Sequence, residues 1–108
     1  MQKIRNLIIE VPNFDESFSR VVLDGRAYLL QFKYNHVAER WRFGVYTLKQ
    51  EPIAIGMAVV PQFPLNFQVV DDRMPNGLFV VFSNFEHIRR NDFVDGNATF
   101  VYVPREMD

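Results

Sequence analysis

The side chains able to do chemistry are few and scattered. His36 and His87 lie far apart, each beside turn-forming or loop residues. A metal centre needs several converging ligands, and neither a His-x-His nor a His-x-x-x-His spacing occurs. Both read as loop histidines, and no metal is expected. Asp71 and Asp72 are adjacent, so in a strand they would face opposite ways. In a turn they would cap backbone N–H groups, which is the better reading. A catalytic carboxylate pair needs a shared cleft and split pKa values. Of Ser17, Ser19 and Ser83, none sits in a Gly-x-Ser-x-Gly elbow. The five glycines are dispersed and form no phosphate loop. There is no cysteine, which excludes disulfides, thiol chemistry and Cys-based zinc sites. No catalytic group and no cofactor is expected. An enzyme would need an apolar pocket that gathers a pair from Asp71, Asp72, His36 and Glu39.

A binding surface is the other kind of chemistry to consider. Arg40, Arg42 and Tyr46 alternate onto one strand face, and Gln31 and Lys33 fall beside them on the neighbouring strand. Cations interleaved with rings can form an OB-type platform for single-stranded nucleic acid or a peptide. The chain as a whole carries 12 basic and 13 acidic side chains, a net charge of −1. That balance favours an ordinary solvated face with cross-strand charge pairs, and nucleic acid is not the expected partner. Arg89 and Arg90 form a second, short cationic run. Together Arg40, Arg42, Tyr46, Arg89 and Arg90 are the candidate partner contacts. Eleven phenylalanines in 108 residues suggest that some rings face a partner protein.

The elements that must position these residues are strands. Apolar residues recur with a period near 2, and the aromatic content of 15% favours β-structure. Strands are expected over about residues 3–11, 17–23, 26–34, 40–48, 53–60, 65–70, 78–82 and 97–103. Asp24-Gly25 between two such runs predicts a tight primed hairpin. Tyr28, Leu30, Phe32 and Tyr34 share one face of the third strand, and Trp41, Phe43 and Val45 share one face of the fourth. In the fifth, Ile53, Ile55, Met57 and Val59 are expected on one side. Ala54, Gly56 and Ala58 are expected on the other, where a backbone or large ring would pack closely. Residues 83–96 form the longest irregular stretch, with room for one helical turn at 85–89. Seven or eight short strands joined by turns predict an all-β fold, a small antiparallel β-barrel or sandwich. The whole chain, residues 1–108, is expected to be a single β-barrel-like domain.

The N-terminal apolar stretch is short and broken by Arg5, Asn6 and Glu10, unlike a signal or transit peptide. No apolar run is long enough to span a bilayer, so no membrane partner is expected. Synthesis and folding in a cytosol are the expectation.

Residues 23–35, Leu23-Asp24-Gly25-Arg26-Ala27-Tyr28-Leu29-Leu30-Gln31-Phe32-Lys33-Tyr34-Asn35, are followed by Glu39-Arg40-Trp41-Arg42-Phe43. Then come Pro52-Ile53-Ala54-Ile55-Gly56, Pro75-Asn76-Gly77-Leu78, and a terminal Ala98-Thr99-Phe100-Val101-Tyr102-Val103-Pro104. In order and spacing this resembles the baseplate plug proteins of contractile-tailed bacteriophages and related prophage tails, over about residues 21–104. The chain departs from the family pattern in being less acidic over residues 42–46 and in carrying Arg89-Arg90. The resemblance implies a structural virion component with no catalysis. It would bind hub and tail-tube proteins, with repeated copies compatible with the rotational symmetry of tails, and pass from the host cytoplasm into the tail baseplate. It implies structural roles for Gly25 in the turn and for Tyr28, Phe32, Tyr34 and Trp41 in the core. Asn35 would fix the turn after its strand, and Gly56 would allow close packing.

Overall fold

A computed structural model describes residues 6–66 and 69–104. Seven strands form two antiparallel sheets: β1 (Leu7–Ile9), β2 (Glu16–Leu23), β3 (Arg26–Asn35), β4 (Arg40–Tyr46), β5 (Pro52–Ala58), β6 (Leu78–Ser83) and β7 (Ala98–Val103). One sheet has the order β2-β3-β4-β5 and the other β1-β7-β6. The all-β expectation holds in its sandwich form. The sheets do not close into a barrel, so the barrel alternative is corrected. The expected helical turn at 85–89 is absent, and those residues are bends and coil.

The hairpin at Asp24-Gly25 is a two-residue turn with Leu23 opposite Arg26. Asp24 and Gly25 take φ of 54° and 81°, the positive pair that a type I′ turn requires. From it, β2 and β3 pair without a break from Leu23 to Glu16. Alternation then sorts the residues. Tyr28, Leu30, Phe32, Tyr34, Trp41, Phe43 and Val45 all point inward and are buried. Phe79, Val81, Phe100 and Tyr102 meet them from the facing sheet. Phe32 contacts Phe100 edge-to-face at 5.0 Å, and Phe43 contacts Phe79 at 5.3 Å and Phe100 at 5.2 Å. Such pairs add about 0.5–1.5 kcal/mol each to the area they bury.

The fifth strand departs from simple alternation. Phe43 faces Met57 and Val45 faces Ala54, so β4 advances two residues while β5 advances three. A second slip follows before Tyr46 and Pro52. These bulges put Ala54 on the core with Ile53 and Met57. Ile55 is turned outward and is 61% exposed, contrary to the face assigned from sequence. Gly56 has φ of 67°, and a Cβ there would meet nothing within 4 Å. Its role is backbone conformation at the bulge, not the close packing expected of it.

The described residues of 65–70 form no strand. Leu65 and Asn66 are in a turn, residues 67 and 68 lie outside the described residues, and Val69 and Val70 are coil. Of the expected first strand, Leu7–Ile9 is strand and Asn6, Glu10 and Val11 are coil, while residues 3–5 lie outside the described residues. The segment before Asn66 instead lines the free side of β6. Gln62 N–H donates to Val81 O at 2.6 Å and Leu65 N–H to Phe79 O at 2.8 Å. The buried Asn66 amide substitutes for a strand, donating to Gly77 O at 3.2 Å and accepting from Phe79 N–H at 3.0 Å.

Two polar anchors hold the framework. The buried Tyr102 hydroxyl donates to Asp24 Oδ2 and accepts from Gly77 N–H at 2.7 Å, which ties the first hairpin to the facing sheet. Burial, followed by the Asp24 contact, pushes its pKa well above the ordinary phenol value. A Cβ on Gly77 would lie 2.5 Å from the Tyr102 ring, so only glycine fits there. The second anchor is Asp92, 1% exposed, in the β6–β7 loop. It accepts from Arg89 N–H at 2.7 Å and from the Arg89 guanidinium at 2.9 Å. Burial alone would raise its carboxyl, but the Arg89 bonds outweigh this and hold it below the usual value.

Chemical denaturation reads both anchors. Tyr102→Phe leaves Gly77 N–H buried without a partner, and should lower the unfolding free energy by about 1–3 kcal/mol. Gly77→Ala should cost at least as much. Asp92→Ala should cost about 2 kcal/mol at neutral pH. Because the folded carboxyl is depressed, this contribution is present above the ordinary Asp pKa and fades as pH falls through the folded one. The stability curves of the two proteins should therefore converge in acid.

Candidate interaction surface

The residues pointing away from the core on β2, β3 and β4 form one continuous face. Strand register sets its rows. Glu16, Lys33, Arg42 and Ala58 lie side by side, as do Phe18, Gln31 and Gly44, and then Arg20, Leu29 and Tyr46. Arg40 sits at the end of the face, opposite Asn35. Four cations (Arg20, Lys33, Arg40, Arg42) thus share these strands' outer face with one carboxylate, Glu16. The face is positive although the whole chain carries −1.

An aromatic pair sits in its middle. Phe18 meets Tyr46 at 5.4 Å with an interplanar angle of 71°. The Tyr46 hydroxyl donates to Gln31 Oε1 at 3.0 Å, and Gln31 Nε2 donates to Glu16 Oε1 at 3.0 Å. Arg42 donates to Gly56 O at 2.8 Å, which fastens β4 to the bulge. Phe18, Val22 and Ile55 add exposed apolar area. The result is an apolar centre with a cationic margin, held by internal hydrogen bonds.

The structure therefore brings together Arg40, Arg42 and Tyr46. It does not bring Arg89 and Arg90 to them. The Trp41 ring points inward, opposite to Arg40 and Arg42, and its Nε1 donates to Arg89 O at 3.3 Å. The Arg89 side chain is bound to Asp92 and lies 4.2 Å from the Phe85 ring centre. Arg90 donates to Asp15 Oδ1 at 2.7 Å and to Asn13 Oδ1 at 3.2 Å, with its guanidinium 5.3 Å from the Trp41 ring centre. Both arginines serve to tie the loop down. Phe18 and Arg20 were missed as surface residues, although the alternation Glu16-Phe18-Arg20-Val22 carried the signal.

The residues assigned structural roles sit as follows. Gly25 is in the hairpin turn, and Tyr28, Phe32, Tyr34 and Trp41 are buried. The Tyr28 hydroxyl donates to Arg73 O at 3.0 Å. Burial pushes the Tyr34 phenol above its ordinary pKa. Asn35 Oδ1 accepts from the N–H groups of Val37 at 2.9 Å and Ala38 at 3.0 Å. These two bonds close the β3–β4 turn.

The candidate chemical residues are dispersed. His36 Nε2 lies 2.8 Å from Asp15 Oδ2 on the surface. Asp71 accepts from Arg73 N–H at 2.9 Å and from its guanidinium at 2.9 Å. The guanidinium bonds, then the backbone bond, hold the Asp71 carboxyl at about 2. Of Asp71, Asp72, His36 and Glu39, only Glu39 lines the open cleft of about 500 Å³ beside His87 and Arg89. Among the described residues, no group of three or more His, Asp or Glu could hold a metal ion. No helix of the described residues is long and apolar enough to cross a membrane.

Comparison with known proteins agrees with this picture of a scaffold. No curated protein matches the chain. A family model described as the cyanophage baseplate Pam3 plug gp18 matches residues 1–105, nearly the whole length. On that match the chain belongs to this family of phage baseplate plug proteins.

Proposed function

We propose that this protein is a structural, non-enzymatic part of a phage or prophage tail baseplate that docks through the outer face of β2–β5 onto a hub or tail-tube protein. Membership of the plug family supports the baseplate role. The observation that carries the docking face is the cationic margin of Lys33, Arg40 and Arg42 around exposed apolar residues on a chain of net charge −1. The partner surface it fits is apolar at its centre and acidic at its margin. Apolar area supplies the attraction, and charge sets orientation and encounter rate. One folding unit, assembled in the host cytoplasm and carried into the virion, suffices for this role.

The same cations and rings raise the alternative of a single-strand nucleic acid platform. The geometry of the rings favours the protein partner. Phe18 and Tyr46 are edge-to-face, and Tyr46 is pinned to Gln31, so they offer no pair of parallel faces to stacked bases. Binding to single strands that weakens with salt and with Arg40→Ala or Arg42→Ala would favour the alternative.

The direct test is binding of the purified chain to the hub and tail-tube proteins encoded with it. Lys33→Glu combined with Arg40→Glu should weaken the complex about tenfold, with a lower association rate. Ile55→Asp places a charge in the apolar centre and should weaken it further. Reversal of Glu86, exposed in the β6–β7 loop off the face, should leave affinity unchanged. Retained binding in the outer-face variants would refute the assignment.

A further inference from the structure

The sandwich treats its sheet edges unequally. The free side of β6 is covered by the segment ending at Asn66. That of β5 is broken by two bulges. β1 has only three residues. β2 is different, with eight residues paired to β3 in unbroken register and, among the described residues, no strand on its other side. Asp15 O accepts from Tyr34 N–H at 2.7 Å, so odd-numbered residues of this strand turn their backbone groups toward β3. Glu16, Phe18, Arg20 and Val22 direct theirs outward. Among the described residues no backbone hydrogen bond reaches them. An uncovered straight edge is a template for another strand.

We propose that a second copy of this chain pairs along this edge, β2 against β2, antiparallel about a two-fold axis at Phe18. The register follows from the side chains. Centred on Phe18, it sets Phe18 against the partner's Phe18, Glu16 against the partner's Arg20, and Phe14 against the partner's Val22. At these outward-bonding positions each opposed pair is then apolar with apolar or acid with base; Glu16–Arg20 and Phe14–Val22 occur twice by symmetry, and Phe18 meets its own copy once on the axis. Phe14, Phe18 and Val22 are 65%, 54% and 51% exposed in the isolated chain. Centring on Arg20 would oppose two arginines, and centring on Glu16 two carboxylates. Centring on Ser17 or Ser19 would set Phe18 against a charge. The Phe18 register also has the correct hydrogen-bond phase, because Glu16, Phe18 and Arg20, the strand residues it opposes, turn their backbone groups outward; Phe14, in the bend before β2 with its N–H donating to Pro12 O at 2.8 Å, adds a side-chain contact with Val22 only.

A groove of about 550 Å³ runs between β2 and β1, lined by Leu7, Ile8, Pro12 and Val22 among others. Ile8 is 70% exposed there. An added strand would roof this groove and continue the four-stranded sheet across the axis. The proposal goes beyond the docking role; it shares Phe18, Arg20 and Val22 with the outer face, but the variants that test docking, at Lys33, Arg40 and Ile55, lie off this edge, so the two can fail separately.

The test is the mass of the isolated full-length chain in solution from micromolar to millimolar concentration. A concentration-dependent dimer is expected. Glu16→Arg alone, or Arg20→Glu alone, should weaken it about tenfold, and the double exchange should restore it. The chain has no cysteine, so single cysteines report the register. Phe18→Cys should cross-link to itself on oxidation, with Cα atoms about 5.5 Å apart. Val22→Cys should not. A chain that stays monomeric at millimolar concentration overturns the proposal. So does a dimer indifferent to both charge reversals, or one that cross-links through Val22→Cys and not Phe18→Cys.

Discussion

The Tyr102 hydroxyl is the point at which the two sheets are locked together by something more specific than apolar contact. Its ring belongs to the core, against Phe79 at 5.3 Å. Its oxygen satisfies Gly77 N–H and bonds the Asp24 carboxylate in the turn of the opposite sheet. Apolar packing between sheets is not directional, and it tolerates sliding. A buried hydroxyl with a fixed donor and a fixed acceptor does not tolerate it. The hairpin turn, the start of β6 and the end of β7 are thereby held in one arrangement. The β2–β5 face inherits its rigidity from that constraint.

A similar logic runs through the loops. Asp92 gathers the β6–β7 loop around one carboxylate. Its own backbone carbonyl accepts from Asn97 N–H at 2.9 Å and Ala98 N–H at 3.0 Å, so the chain is delivered to β7 in register. Arg90 joins this loop to Asp15, just ahead of β2. Polar residues at this end of the molecule are spent on holding loops. On the outer sheet face Lys33 and Arg40 project from a backbone already satisfied by its ladder. That contrast separates the structural cations from those left free on the outer face, and it suits the proposed role of presenting a stiff surface to a partner.

Much of the fold was legible because strand alternation and turn chemistry are local. Asp24-Gly25 allowed only a tight primed turn, and the inward set from Tyr28 to Val45 followed from period 2. What was not legible depended on distant partners. The bulges at Gly56 reversed the face of Ile55 because β5 had to follow β4, and no local pattern announces such a slip. Asn66 reads as part of an apolar run, but its amide pairs with β6 in place of a backbone. Of the interaction surface, Arg40, Arg42 and Tyr46 could be placed on one face from spacing alone. Arg89 and Arg90 could not be separated from them, because that required seeing Asp92 and Asp15 reach them. The baseplate reading came from the ordered set of motifs between Leu23 and Pro104 and not from any chemical group.

The central claim is that this sandwich occupies a tail baseplate with its cationic sheet face turned to a larger partner. Electron cryomicroscopy of assembled tails containing the protein tests it most directly. The account predicts density for the two-sheet fold in the baseplate, with Lys33, Arg40 and Ile55 buried against a hub or tail-tube subunit and acidic side chains opposite the cations. The same density with that face open to solvent, and the Arg89–Arg90 loop forming the contact, would contradict it.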